Sequence, residues 1–101
     1  MAQFDVYRNT DEASSHETPY FINIQHDIVS ELPTRIVIPL YFNIKKIDKL
    51  HQVFTIEEQH VILATQRVVS VPKYLLDDKV TNLKQHRDEI IASIDFLITG
   101  F

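Results

Sequence analysis

The chain has 101 residues, of which 45% are hydrophobic and 24% charged, and its formal net charge is -4 at pH 7. This length suits one domain over residues 1–101, with one hydrophobic core and a radius of gyration of about 13 Å. The lack of cysteine excludes a disulfide framework and thiolate metal sites, and the acidic balance disfavours direct binding of nucleic acid.

No apolar run approaches the roughly 20 residues of a membrane span, so we expect a cytoplasmic protein without membrane contact. Glycine is rarer than any other common residue here, because the chain has only Gly100. Loops that cradle phosphate groups need several glycines close together, so this class of site is excluded. We expect the turns of the chain to use Asn, Asp and Pro instead.

Two strands are predicted near the amino terminus. Apolar and polar residues alternate over residues 3–7 and 20–25, with the period of two that a half-buried strand requires. Residues 8–18 are almost all polar and predict an exposed loop between these strands. A third strand is predicted over residues 35–40, where Pro39 cannot donate to a ladder and marks an edge, a bulge or the strand's end.

The second half of the chain predicts a hairpin and a helix. A loop or short helical turn over residues 41–52 precedes strands at 53–56 and 60–71. Asn82 is the predicted N-cap of a helix over residues 83–98, whose apolar side chains fall within an arc of about 120°. Five short strands and a terminal helix predict a mostly β, α+β fold, an antiparallel sheet or partly open barrel with a helix against it.

No residue pattern in the chain indicates catalysis or a metal. The histidines do not have the local spacings usual for zinc sites, since they stand at positions 16, 26, 51, 60 and 86. Neighbouring carboxylates lie in predicted turns, where desolvation is weak and we expect no raised pKa that would suit acid–base catalysis. No serine lies in a nucleophile elbow. We therefore predict no catalytic residue, no metal site and no cofactor.

Two apolar stretches lie where water is expected. Ile28 and Val29 follow a strand into a turn, where they either complete the core or form an interface. Residues 98–101 stay apolar to the terminus, and Gly100 is predicted to end the helix in a left-handed conformation that folds Phe101 back. This exceeds what a core of this size covers, so we expect homodimerisation through that end.

Several segments resemble, in order along the chain, those of the CcdB toxins. They are FDVY from Phe4, NIQHDI from Asn23, TRIVIPL from Thr34, VSVP from Val69 and IDFLITGF from Ile94. The resemblance runs from end to end of the chain. It implies an SH3-like antiparallel barrel with a long C-terminal helix, a two-fold homodimer and no catalysis.

The resemblance also implies a function. CcdB toxins belong to type II toxin–antitoxin modules, bind the A subunit of DNA gyrase and trap the covalent gyrase–DNA intermediate. A CcdA-like antitoxin neutralises them with a disordered acidic tail. The toxin joins the antitoxin as a corepressor of their operon, and it reaches operator DNA only through the antitoxin.

The family's gyrase-binding positions fall on two parts of this chain. They are Ile28 and Val29 after the second strand, and Asp95, Ile98, Thr99, Gly100 and Phe101 at the helix end. Thr99 stands where the best-known member has a tryptophan that stacks on an arginine, and Asp95 replaces an asparagine. Losing that ring removes about 0.5 to 2 kcal/mol of cation–π stacking unless Phe101 takes over.

A basic group of residues is expected to receive the acidic antitoxin tail, although a merely solvated face explains these charges equally well. The expected antitoxin-binding residues are Arg8, Asp11, Lys45, Lys46 and Lys49. Both loops that carry them differ in length from those of the best-known member.

Two other functions remain open. One is an endoribonuclease of the related MazF-like fold, which would need a basic groove and acid–base groups around a phosphate. The other is a repurposed member that only binds its antitoxin, a reading that Thr99 motivates.

Overall fold

The computed structural model describes residues 1–100. Within them lie seven strands and one α-helix, together with short 3-10 turns. The strands are β1 (Asp5–Arg8), β2 (Tyr20–Asn23), β3 (Thr34–Tyr41), β4 (Val53–Ile56), β5 (Gln59–Leu63), β6 (Val69–Pro72) and β7 (Lys79–Asn82). The helix is α1 (Arg87–Thr99), and the 3-10 turns are Asp27–Val29, Thr65–Arg67, Lys73–Leu75 and Lys84–His86.

The strands form one antiparallel sheet in the order β4-β5-β3-β2-β1-β7, and β6 also pairs with β3. The sheet curls into a half-barrel, with α1 against one side. The mostly β fold with a C-terminal helix, predicted from the sequence, is confirmed. The edge strands of the sheet are β4, β6 and β7, because each pairs with one neighbour only.

Pro39 lies in the middle strand, β3, where it pairs with Phe21 of β2. On its other edge, β3 pairs with β6 up to Val37 and with β5 from Leu40 onward. Pro39 falls between these two partners, so its missing N–H costs no ladder hydrogen bond. The residue therefore marks a change of partner, and β3 continues beyond it to Tyr41.

Side chains alternate between two unequal cores. Val6, Ile22 and Ile38 lie in the larger core, on the side that α1 covers. Their neighbours along the strands, such as Tyr7 and Val37, lie in a smaller cluster on the opposite side. The helix contributes Ile90 to the larger core, together with the half-buried Ile91 and Ile94.

The prediction of a single strand over residues 60–71 was wrong. The 3-10 turn Thr65–Arg67 divides it into β5 and β6, which pair with opposite ends of β3. Thr65 is buried there, and its hydroxyl donates to the carbonyl of Leu50 at 2.6 Å. A run of branched apolar residues does not reveal such a long-range bond, so periodicity alone predicts one strand over residues 60–71.

The predicted helix start was also wrong, because a strand that the sequence did not predict, β7, and a 3-10 turn precede the helix. Asn82 ends β7, and its Nδ2 donates to Asp5 Oδ1 at 2.9 Å. Its Oδ1 accepts from the N–H of Lys84 at 2.7 Å, at the start of the 3-10 turn Lys84–His86. The α-helix begins only at Arg87. Residues 79–82 therefore pair with β1 as a strand, although the apolar spacing from Leu83 onward predicted a helix that starts directly after them.

Left-handed backbone conformation occurs at several residues where no sequence pattern predicted it. Between residues 1 and 100, four non-glycine residues have positive φ: Phe4, Lys49, Glu57 and Glu58. Glu57 and Glu58 form the two-residue turn between β4 and β5, with φ of 52° and 66°. Such hairpin turns need positive φ at both central residues and favour Asn-Gly. The expectation that Asn, Asp and Pro supply the turns was wrong at these positions.

Arg8 and Tyr20 hold this turn against the sheet. Arg8 Nη1 and Nη2 donate to the two carboxylate oxygens of Glu57 at 2.9 Å each, and Arg8 Nε donates to Asp78 Oδ2 at 3.0 Å. The Tyr20 hydroxyl donates to Glu57 Oε1 at 2.5 Å. The bonds from Arg8 and Tyr20 lower the pKa of Glu57, while burial and then Glu57 raise the pKa of Tyr20 to about 12.

A buried carboxylate joins β1 to β7. Burial by itself would raise the pKa of Asp5, but hydrogen bonds from Asn82 and the N–H of Ala2, and then Lys79, bring this pKa below its ordinary value. The Ala2 N–H lies 2.8 Å from Oδ2, and Lys79 Nζ lies 3.2 Å from Oδ1. Asp5 is therefore ionised in the folded protein and connects the start of the chain to β7.

Glu58→Gly is expected to stabilise the protein by about 1 kcal/mol, because glycine adopts positive φ without steric cost. The free energy of unfolding from urea denaturation measures this. Glu57→Gly is the matched control and should give no gain, since it also removes the bonds to Arg8 and Tyr20. Equal stabilisation by both variants would contradict the account of the turn.

Asp5→Asn is expected to lower the free energy of unfolding at pH 7 by about 1–3 kcal/mol, the range for hydrogen bonds to a charged group. Because the folded-state pKa of Asp5 is depressed, its contribution is fully present above the unfolded pKa of about 3.9 and is lost as pH falls through the folded pKa. Denaturation of both proteins across acidic pH should show their difference shrinking. Asp78→Asn, at an exposed ion pair, should cost less than about 1 kcal/mol.

Candidate functional site

The Asp27–Val29 turn holds the first two candidate residues away from the core. His26 Nδ1 accepts from the N–H of Ile28 at 3.0 Å, and Gln25 Nε2 donates to the carbonyl of Val29 at 2.9 Å. These bonds fix the backbone while Ile28 stays 83% exposed and Val29 43% exposed. Of the two roles that the sequence left open, completing the core does not fit such exposure.

The end of α1 presents the second group of candidates. Gly100 has φ 79° and ψ 14°, and its N–H donates to the carbonyl of Phe96 at 2.9 Å. The predicted left-handed conformation is confirmed. Among the described residues, no atom beyond the adjoining chain lies within 4 Å of the position that a Cβ on residue 100 would take, so backbone conformation and not space calls for glycine. Ile98 is 75% exposed just before it.

Thr99 and Asp95 are exposed on the last turns of α1. The Thr99 hydroxyl donates to the carbonyl of Asp95 at 2.7 Å, so its polar group is satisfied within the helix. The side chain is short and has no ring to stack on a partner. Phe101, the last of the expected gyrase-binding residues, lies outside the described residues.

The two groups are anchored separately. The Gln3 N–H donates to Asp27 Oδ1 at 2.7 Å and ties the first group to the start of the chain. The second group extends from α1, which is held through Ile90 in the larger core. Among residues 1–100, no hydrogen bond or ion pair joins the Asp27–Val29 turn to the last turn of α1. A partner that contacts both must therefore bridge them.

The expected antitoxin-binding residues are spread over two loops and β1. Arg8 is engaged by Glu57 and Asp78, as described above. Asp11 Oδ2 accepts from the hydroxyl of Ser14 at 2.9 Å and so stabilises its own loop. The three lysines, Lys45, Lys46 and Lys49, are exposed, and none forms a salt bridge with any residue that the structure describes.

A basic cavity beside the first group was missed by sequence reasoning. It has a volume of about 520 Å³, and its lining includes the cations Lys79, Lys84 and Arg87 together with Asp27 and residues 2–5. Its cations come from β7, a 3-10 turn and the start of α1, with acidic residues elsewhere in the same stretch. No run of basic residues in the sequence therefore signals it.

Displaced pKa values often mark catalytic groups, but here they occur at groups that join strands: Asp5, Tyr7, Arg8, Tyr20 and Glu57. Within residues 1–100, no three side chains of His, Cys, Asp or Glu lie close enough together to hold a metal ion. None of the helices in this part of the chain has the length and apolar character needed to cross a membrane.

Comparison with known proteins agrees with this architecture. A family model described as CcdB protein matches residues 3–100, which include every strand and the whole of α1. No curated protein gives a significant match to the chain. The match spans nearly all of the sequence, so it includes both groups of candidate residues up to Gly100. The chain belongs to the CcdB family, the toxins of bacterial toxin–antitoxin modules.

Proposed function

We propose that this toxin binds the A subunit of DNA gyrase and traps the covalent gyrase–DNA cleavage complex. The observation that carries the proposal is the exposure of Ile28 and Ile98 on backbone that is already fixed. Burying such side chains against a partner is favourable, at about 1.5–3 kcal/mol each. Because the turn and the helix end are ordered beforehand, little conformational entropy is lost on binding.

Trapping needs no covalent chemistry from the toxin, and we propose that it is not an enzyme. A ligand shifts an equilibrium only by its difference in affinity for the two states. A toxin that fits the opened, cleaved gyrase better than the closed enzyme by about 4 kcal/mol favours the cleaved state about a thousandfold. Rigid apolar contacts from Ile28 and Ile98 would supply that preference.

Homodimerisation is part of the proposal. Ile36 of β3 is exposed although it lies on the same side of the strand as the buried Ile38. The apolar side of the sheet thus continues beyond the area that α1 covers, and the half-buried Ile24 lies beside Ile36, whose carbonyl accepts its N–H at 3.0 Å. Two copies that cover this area would give a two-fold toxin that matches a two-fold target.

A CcdA-like antitoxin is the second proposed partner, and all of these contacts would take place in the cytoplasm. Lys45, Lys46 and Lys49 are the available cations for its acidic tail, whereas Arg8 must first exchange its bonds to Glu57 and Asp78. Asp11 lies in the neighbouring loop. Since the toxin carries a net charge of -4, corepression at operator DNA would act through the antitoxin.

Purified toxin is expected to make gyrase accumulate cleaved plasmid DNA, seen as linear DNA after denaturing the enzyme. Ile98→Asp should abolish this, because it places a charge in the interface. Tyr74→Asp is the matched control, since Tyr74 is 78% exposed on a different turn. The proposal fails if wild-type protein degrades RNA without any gyrase cleavage, or if Ile98→Asp poisons normally.

Gly100→Val is expected to reduce gyrase poisoning at least tenfold, because a branched residue at φ 79° is strained by about 1–2 kcal/mol and redirects the chain end. Thr99→Val is its control and changes only the hydroxyl bond to Asp95. Titration of each variant in the cleavage assay, with thermal melting to check folding, measures the effect. If Gly100→Val and a chain without Phe101 both poison gyrase fully, the helix end is not part of the gyrase-binding site.

A further inference from the structure

The basic cavity is continuous with the first group of gyrase-binding candidates. Its volume is about 520 Å³, and Asp27, the first residue of the Asp27–Val29 turn, forms part of its wall. Lys84 and Arg87 line the same cavity. A partner that covers Ile28 and Val29 therefore reaches the mouth of the cavity.

Some charged groups of the cavity have close partners within the protein and others do not. Lys79 lies 3.2 Å from the buried carboxylate of Asp5, and Asp27 Oδ1 accepts the N–H of Gln3 at 2.7 Å. Arg87 is 3.8 Å from Asp88, a long contact between exposed side chains that contributes little.

Lys84 is exposed, and it forms no salt bridge with any residue between positions 1 and 100. Lys84 and Arg87 are thus cations available to an anionic partner.

The neighbouring apolar residues favour a protein over a nucleic acid. Phosphates could contact Lys84 and Arg87, but they would leave the 83% exposed Ile28 in water. The net charge of -4 also opposes a polyanion. A protein surface that combines an apolar patch with adjacent carboxylates covers both features.

We propose that Lys84 and Arg87 extend the gyrase-contacting surface from Ile28 and receive carboxylates of the gyrase A subunit. This inference rests on the proposed function, whose contacts it enlarges. Because both cations are exposed, they act mainly by steering the encounter, which raises the association rate at low salt. The apolar contact of Ile28 governs dissociation instead.

Binding kinetics on an immobilised breakage-reunion domain of a bacterial gyrase A subunit test this division. The double variant Lys84→Glu and Arg87→Glu should associate about tenfold more slowly at low salt, with an unchanged dissociation rate, and the difference should shrink at high salt. Ile28→Ala should mainly speed dissociation. The double variant Arg67→Glu and Lys73→Glu is the matched control, since it changes the net charge equally at exposed residues outside the cavity, and it should associate as wild type does.

Each outcome decides between the proposals. If wild type binds and poisons gyrase while the 84/87 variant keeps wild-type kinetics, the inference is overturned and the proposed function stands. If the 67/73 control associates equally slowly, the effect comes from net charge alone and the inference is also overturned. Fluorescence polarisation with duplex DNA that shows binding lost in the 84/87 variant assigns the cations to nucleic acid instead. Failure of wild type to bind or poison gyrase overturns both proposals, and circular dichroism checks that each variant is folded.

Discussion

The burial of one face of α1 against the curled sheet is the interaction on which the rest of the structure depends. Ile90 is fully buried among side chains of the strands, and Ile91 and Ile94 pack at the margin. Burying an isoleucine in this way contributes about 1.5–3 kcal/mol, more than a surface contact can. The same packing fixes the direction of the helix. Its last turn is left uncovered, and the apolar stripe that holds α1 to the sheet continues to Ile98 in solvent.

Hydrogen bonds and ion pairs stabilise the parts of the sheet that the hydrophobic core does not cover. The strands β4 and β7 lie at the two ends of the strand order, and charged side chains form bonds that hold the segments next to them. Asp5 joins the chain start to β7, while Arg8 links β1 to the Glu57 turn and to Asp78. The carboxylate of Glu57 also accounts for a costly choice of residue in a left-handed turn. A glycine there would be free of strain but would give up the contacts that hold the turn to β1 and β2.

The proposed mechanism follows from the same rigidity. A toxin that works by binding must present its contacts in one arrangement, because every side chain ordered on binding reduces the affinity. Hydrogen bonds already fix the backbone at Ile28, and the left-handed Gly100 ends α1 abruptly after Ile98. The structure also shows that charges in this family member are not interchangeable. Arg8 and Lys79 serve the fold through their ion pairs, whereas the lysines at 45, 46 and 49 and the two other cations of the basic cavity are exposed to partners.

The sequence alone determined features that depend on neighbouring residues. Alternation in β1, β2 and β3, the apolar stripe of α1 and the left-handed Gly100 follow from local pattern and backbone sterics. Ordered segments along the chain also indicated the family.

Only the tertiary structure decided features that rest on partners distant in sequence. Asn82 lies in a strand, where its side chain bonds to Asp5, and Thr65 lies in a turn, where its hydroxyl bonds to Leu50. Glu57 adopts positive φ in a turn that its ion pair with Arg8 stabilises. The basic cavity likewise exists only where β7 and α1 meet the chain start. Such contacts leave no periodic signal, because the energy that fixes them comes from atoms far along the chain.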